Sequence, residues 1–306
     1  MHDLRIIFMG TPEFAVPSLE ILVENKYNVV AVVTAPDKPQ GRGQKITYSP
    51  VKECALKYNI PVLQPDKLKA PEFISALKSY QANLQIVVAF RMLPESVWSM
   101  PSIGTFNLHA SLLPQYRGAA PINWAIINGE KETGATTFFL KHEIDTGSII
   151  FQVKEPIYED DNVGTLYERL MKKGAELVLK TVRAIEQNNY PLVPQPERGA
   201  LKHAPKIFKE TCEIQWNKKS EEVRNFVRGL SPYPAAWTHF GEKIFKIFKV
   251  SIPPATDAQL STEPIRTDHK NYLHIRTSDG WVAIDELQPE GKKRMSIQEF
   301  FRGNKL

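Results

Sequence analysis

The run Phe106-Asn107-Leu108-His109-Ala110-Ser111-Leu112-Leu113-Pro114-Gln115-Tyr116-Arg117 sets an amide and an imidazole two positions apart, then breaks into a turn. In an extended strand, side chains at i and i+2 share a face, so Asn107 and His109 point one way. Phe106 and Leu108 point the other way, into whatever packs behind. A neutral N–H donor can stabilise negative charge on an oxygen, and a ring titrating near ~6.5 can deliver a proton beside it. Burying such a pair at a strand end is costly unless something binds there. A carboxylate completes the set: Asp145, in Ile144-Asp145-Thr146-Gly147, follows an apolar stretch at Ala135–Leu140 whose end could lie beside His109.

Other polar residues nearby read as structural. Arg117 fits a pin that bonds carbonyls of its own loop, and His142, between Lys141 and Glu143, fits an exposed position. The remaining histidines, His2, His203, His239, His269 and His274, show no ligand spacing, so no metal is expected.

The elements that must carry these groups alternate in type. Arg5–Met9 is a short apolar run ending at Gly10, as in a buried parallel strand, and a helix from about Glu13 to Asn25 follows. Further strands are expected at Tyr27–Val33, Pro61–Leu63, Leu84–Ala89, Gly104–His109 and Ala135–Leu140, and a helix at Ser49 with Pro50 in its first turn. This alternation predicts βαβ units and a doubly wound, Rossmann-like, mainly parallel α/β sheet, in which ligands gather at the carboxyl ends of strands. Leu166, Leu170, Leu177, Val178 and Ile185 mark one face of a long helix, Thr165–Gln187, that closes the first domain.

Three prolines between Pro191 and Pro196 then predict a semi-rigid connector. Beyond it come a helix opened by Ser220 as N-cap, strands at Ile244–Val250, Tyr272–Thr277 and Trp281–Leu287, and a hairpin turn at Asp279-Gly280. Ser296 and Glu299 form a capping box for a last helix stopped at Gly303. The domains expected are therefore 1–189, a linker at 190–205, and a smaller OB-like β-barrel at 206–306.

Composition narrows the classes. The chain has 306 residues, 42% hydrophobic and 24% charged, with no apolar run near the ~18–20 residues that span a bilayer. The amino terminus shows no basic segment leading to a cleavage site, so a cytoplasmic protein is expected. Cys54 and Cys212 read as free, inert thiols. Net charge is +5, and residues 206–306 carry 17 Lys and Arg against 13 Asp and Glu, a net of +4. The junction Gly10-Thr11-Pro12 lacks a G-x-G-x-x-G pattern and Pro12 removes a backbone donor, which disfavours a dinucleotide site.

The Asn-x-His strand, Ser-Leu-Leu-Pro, Arg117-Gly118 and Asp145-x-Gly147, in that order, resemble the hallmark of the folate-dependent formyltransferases. Gly10-Thr-Pro-Glu-Phe-Ala15, Pro36-Asp37, Gly41-Arg42-Gly43, Arg117-Gly-Ala-Ala-Pro121 and Glu132-Thr-Gly134-Ala135-Thr136 extend the likeness over the whole chain, toward the branch acting on methionyl-tRNA.

The resemblance implies formyl transfer from 10-formyltetrahydrofolate to the α-amino group of initiator methionyl-tRNA; separately, a monomer is expected. Asn107 would stabilise the oxyanion, and His109 would donate a proton or hydrogen bond. Asp145 would orient the imidazole and favour its charged form. The division of proton transfers between His109 and Asp145 stays open. Ser111, Leu112, Leu113 and Pro114 would line the folate, with backbone near Val88 and Ala89, and near Leu140–Asp145, meeting the pterin.

The family usually continues its fourth strand as Ala-aromatic-Gly-x-x-Leu-Pro. Here Ala89-Phe90-Arg91-Met92-Leu93-Pro94 is one residue shorter and has Arg91 in place of the small residue. The loop holding Gly41, Arg42, Gly43 and Lys45 would contact the tRNA acceptor end, with Arg42 foremost, and the basic tail domain would follow the tRNA backbone. Lys292-Lys293-Arg294 fits either RNA or solvent. Rival readings are an amino-sugar-nucleotide formyltransferase, a glycinamide ribonucleotide formyltransferase, and an RNA-binding protein without catalysis. The basic loop and tail argue against the small acceptors, and the intact Asn107, His109 and Asp145 argue against the last.

Overall fold

A computed structural model describes residues 3–40, 45–141, 145–196, 200–254 and 263–304. The chain separates into two compact units. The first comprises Met1–Arg117, Gly134–Glu155 and Tyr167–Lys202, and the second Gly118–Thr133, Pro156–Leu166 and His203–Leu306. The strands up to the site are β1 (Arg5–Gly10), β2 (Asn28–Val33), β3 (Lys38–Gln40), β4 (Lys45–Thr47), β5 (Val62–Leu63), β6 (Leu84–Val88) and β7 (Gly104–His109). Then come β8 (Arg117–Gly118), β9 (Glu132–Phe139) and β10 (Ile149–Pro156).

The first unit is built on a seven-stranded sheet in the order β10-β9-β7-β6-β1-β2-β5. From β7 to β5 all neighbours are parallel, and β9 runs antiparallel to β7. Ile6, Ile7, Phe8 and Met9 of β1 are wholly buried, as a strand covered on both faces requires. Helices α1 (Val16–Glu24), α2 (Pro50–Lys57), α3 (Pro71–Ser79) and α4 (Glu95–Trp98) connect the strands. The Ser49 hydroxyl accepts the Lys52 N–H at 3.1 Å, which fixes the start of α2. The segment after Pro12 opens as a 3-10 turn, Glu13–Ala15, so α1 begins later than its periodicity suggests.

Two elements escape the sequence pattern. β10 alternates buried and exposed positions at the sheet edge, and its buried Glu155 pairs with Arg169, at 2.6 Å, and with Lys173. Burial alone would raise the Glu155 carboxyl, but Lys173 and Arg169 hold it below the usual range. The basic loop is a hairpin at its base, with Lys38 opposite Thr47 and Gln40 opposite Lys45.

The second unit contains α5 (Pro121–Ile127), the strand β11 (His203–Ala204) and α7 (Ser220–Leu230). The long helix between these, α6 (Val163–Glu186), lies mainly in the first unit. Strands β12 (Ala236–Phe240), β13 (Lys243–Ser251), β14 (Ile265–Thr267), β15 (Leu273–Arg276), β16 (Trp281–Pro289) and β17 (Met295–Ser296) form a curled antiparallel half-barrel sheet, and α8 (Ile297–Gly303) follows. Val223, Val227 and Leu230 of α7 pack into its core with Ile247, Val282, Leu287 and Phe300.

Ser296 caps α8 as expected, accepting from the Glu299 N–H at 3.2 Å. Ser220 does not cap α7. It is the first helical residue, and its hydroxyl instead meets Thr277 at 2.7 Å and Asp279 at 3.0 Å in the turn between β15 and β16. The Asp279 carboxylate accepts the Ser220 N–H at 2.7 Å, so the hairpin caps the helix.

Candidate active site

β7 presents Asn107 and His109 at the carboxyl end of the parallel sheet, with Asn107 opposite Val87 of β6 and His109 opposite Thr136 of β9. Leu108 points the other way: a Cβ placed on Gly174 of α6 would meet its Cδ2 at 2.8 Å. The alternation read from the sequence is therefore the one the strand adopts.

His109 is 7% exposed, and its Nε2 lies 2.8 Å from the Tyr116 carbonyl. A carbonyl only accepts, so Nε2 carries a hydrogen and Nδ1 is the nitrogen left to face reactants. Asp145 is on that side, with Oδ2 3.9 Å from Nδ1. That separation allows charge attraction but exceeds a direct hydrogen bond. The ring is thus oriented by the Tyr116 backbone, itself held through its N–H to the Lys202 carbonyl at 2.6 Å, and not through a direct bond to Asp145.

The Asp145 turn has its own supports. Asp145 adopts φ +56°, a left-handed conformation that Asp tolerates better than most residues. A Cβ on Gly147 would fall 1.5 Å from the Phe139 carbonyl oxygen, so the Asp-x-Gly spacing reflects a backbone contact with no room for a side chain. Gln195 donates from Nε2 to the carbonyls of Asp145, at 2.7 Å, and Gly147, at 2.9 Å. Its Oε1 accepts from Arg117 Nε at 3.1 Å and Nη2 at 2.6 Å. Arg117 is a pin, but through Gln195 and not through carbonyls of its own loop. The proline-rich stretch is likewise not a bare connector: Gln195 is 7% exposed, and Val193 pairs with Ile149. Only the Pro-Gln-Pro spelling could have drawn attention to Gln195.

The expected folate-lining residues divide by exposure. Ser111 is wholly buried and its hydroxyl donates to the Gln115 carbonyl at 2.6 Å, which makes it a turn-former. Leu113 is buried against Phe138 and Ile149, while Leu112 and Pro114 are half-buried. Val88 is fully buried in the sheet, and Ala89 is exposed at φ +47° where the chain leaves β6. Arg91 turns away along the surface and donates to the carbonyls of Pro65 and Asp66, the latter at 3.0 Å.

Gly41, Arg42, Gly43 and His142 lie outside the described residues, and Lys45 begins β4. The start of the hairpin is anchored by Asp37, which accepts from Lys52 at 2.5 Å and Gln64 at 2.8 Å. These bonds, Lys52 foremost, hold its carboxyl below the usual range. Both cysteines are buried, and burial pushes the Cys54 thiol up to about 11, which fits an inert group. Among the described residues no cluster of His, Cys, Asp or Glu is fit to hold a metal ion, and no helix is long and apolar enough to cross a membrane.

In the second unit, a cavity of about 710 Å³ is lined by Lys206, Lys209 and Lys246 together with Phe208, Tyr233 and Trp237, among others. Tyr233 is 81% exposed, and the Lys206 ammonium sits over the Phe208 ring at 5.3 Å.

Residues 4–182 match the formyl transferase family and residues 206–305 match the formyl transferase C-terminal domain. A methionyl-tRNA formyltransferase of Bacteroides fragilis is 57% identical over 99% of this chain and 95% of its own length. One from Bacteroides thetaiotaomicron is 56% identical over 100% of this chain and 97% of its own length. In fold, the chain is similar to an N-formyltransferase from Helicobacter canadensis, solved with folinic acid and dTDP-3-aminofucose, at a TM-score of 0.67 and 21% identity, covering 95% of this chain and 100% of that one. With matching residues in both units and more than half of its sequence shared with these relatives over nearly their full length, the chain belongs to the methionyl-tRNA formyltransferase family.

Proposed function

We propose that the chain transfers the formyl group of 10-formyltetrahydrofolate to the α-amino group of methionine carried on initiator tRNA. An α-amino group titrates near ~7.7–8.0, so a useful neutral fraction exists at pH 7 without a strong base. The amine attacks the formyl carbon, the carbonyl oxygen becomes negative, and the bond to the folate nitrogen then breaks. Asn107 donates an N–H to that oxygen, a contribution of about 3 kcal/mol where such donors have been removed. His109 Nδ1 delivers a proton or hydrogen bond to the oxygen or to the departing nitrogen. Asp145, within charge-pairing range of the same nitrogen, pairs with the ring whenever Nδ1 holds a proton and offers a second station for the proton lost by the amine.

The observation that carries this reading is the convergence of His109 and Asp145 at one strand end in a chain so similar to methionyl-tRNA formyltransferases. Leu112 and Pro114 supply apolar wall for the folate, with backbone at Val88 and Ala89 meeting the pterin. The segment with Gly41, Arg42, Gly43 and Lys45 contacts the acceptor end of the tRNA. The lysines and exposed rings of the second unit's cavity suit phosphates and unpaired bases of the same RNA. The reaction belongs in the cytoplasm, where tRNA is charged, and the chain acts in it as a monomer.

The deciding assay offers the purified chain 10-formyltetrahydrofolate with either methionyl-tRNA or an amino sugar nucleotide. Formylation of the tRNA alone is the expected result. Transfer only to the sugar would overturn the reading.

A further inference from the structure

We propose that Gln195 is a positioning residue for this reaction: its side-chain amide fixes the Asp145–Gly147 turn, and through it the carboxylate facing His109. The inference rests on the function proposed above and adds to it a residue far from the strand ends in sequence. The carboxamide can sit in only one orientation, because Arg117 has only donors to offer and the two carbonyls can only accept. Both of its N–H bonds are spent on the turn, at 2.7 Å to Asp145 and 2.9 Å to Gly147.

Asp145 stands in a left-handed conformation, so its carboxylate direction is set by a backbone that would relax if released. Gln195 is well suited to prevent that. It is 7% exposed, and the flanking Pro194 and Pro196 restrict its backbone. Arg117 grips its oxygen through two N–H groups. The arrangement places a fixed amide against the two carbonyls that bracket the turn.

A different role is available to the same residue: a tether that merely fastens the proline-rich segment to Arg117. Gln195→Glu separates the two. Its carboxylate keeps, and strengthens, the pairing with Arg117, but loses both donors and turns an oxygen toward the two carbonyls. Gln195→Leu removes both interactions.

The test is steady-state formyl transfer to methionyl-tRNA by the full chain, with thermal midpoints measured alongside. For a positioning residue, both variants lose kcat by on the order of 10- to 100-fold, as small misplacements of reacting groups do, while KM for 10-formyltetrahydrofolate stays within about 2-fold. Gln195→Glu should also remain folded, with a midpoint near that of the wild type. Wild-type kcat in Gln195→Glu overturns the inference and leaves the tether. A Gln195→Glu chain that fails to fold assigns the residue to folding and overturns it as well. A wild-type chain that does not formylate methionyl-tRNA removes the functional reading beneath it.

Discussion

At the level of single residues, the two nitrogens of His109 have different occupations. Nε2 is committed to the Tyr116 carbonyl at 2.8 Å, so Nδ1 is the nitrogen that can serve the reaction, and it is the one nearest Asp145. An imidazole held by a backbone carbonyl keeps its orientation when the carboxylate changes, which makes the two contributions separable by mutation. His109→Ala should lower kcat by about 10²–10⁴-fold, the usual worth of a positioned general acid. Asn107→Ala should lower it by about 10²–10³-fold, as loss of one oxyanion donor does. Neither change should alter KM for 10-formyltetrahydrofolate more than a few-fold, because both groups act on charge that develops after binding. Near-wild-type turnover in His109→Ala would remove the ring from the mechanism.

At the level of elements, the contrast is between what is written locally and what depends on distant partners. The face shared by Asn107 and His109 follows from strand alternation alone, with Phe106 and Leu108 as the apolar positions between the polar ones. The support of Asp145 is not local. Gln195 sits 50 residues from Asp145 and 78 from Arg117, in a stretch whose composition reads as solvated connector. β10 hides for a similar reason, since its polar Gln152 and Glu155, and the Lys154 carbonyl, find partners only once the sheet and α6 exist. The Asp-x-Gly motif is legible as a pattern, but its cause is the Phe139 carbonyl, 1.5 Å from where a Gly147 Cβ would stand. Gly147→Ala can be relieved only by moving that end of β9 or the turn itself. It should therefore lose kcat at least as severely as the Gln195 variants and lower the thermal midpoint. Full activity with an unchanged midpoint would mean that this backbone contact does not hold the turn.

A second test at this scale concerns the second unit, where Glu159 joins Lys131, at 2.5 Å, to Arg224, at 3.0 Å, linking three separate stretches of chain. These bonds, Lys131 foremost, hold its carboxyl down to about 2. A carboxyl lowered on folding stabilises above its ordinary titration range and loses that stabilisation as pH falls through the folded value. Glu159→Gln should thus cost stability at pH 7, by no more than about 1 kcal/mol because the group is exposed and screened. The gap from wild type in chemical denaturation should close between pH 4.5 and about 2.

At the level of the whole molecule, a modest net charge of +5 conceals where it resides, since residues 206–306 alone contribute +4. A small folate co-substrate needs no such field, whereas an RNA releases counterions in proportion to the phosphates neutralised, about 0.7 per contact for single strands. The two substrates should therefore answer differently to salt. KM for methionyl-tRNA should rise steeply between 50 and 200 mM salt, on the order of 10-fold for about three phosphate contacts, while KM for 10-formyltetrahydrofolate changes little. Arg42→Ala should raise KM for the tRNA and flatten that slope by roughly one contact, with folate binding intact. Lys206→Ala and Lys246→Ala in the cavity of the second unit should flatten it further if the same RNA reaches that surface. Equal salt sensitivity for both substrates would mean that the charge of the tail serves solubility, and that recognition of the tRNA rests on contacts other than phosphate.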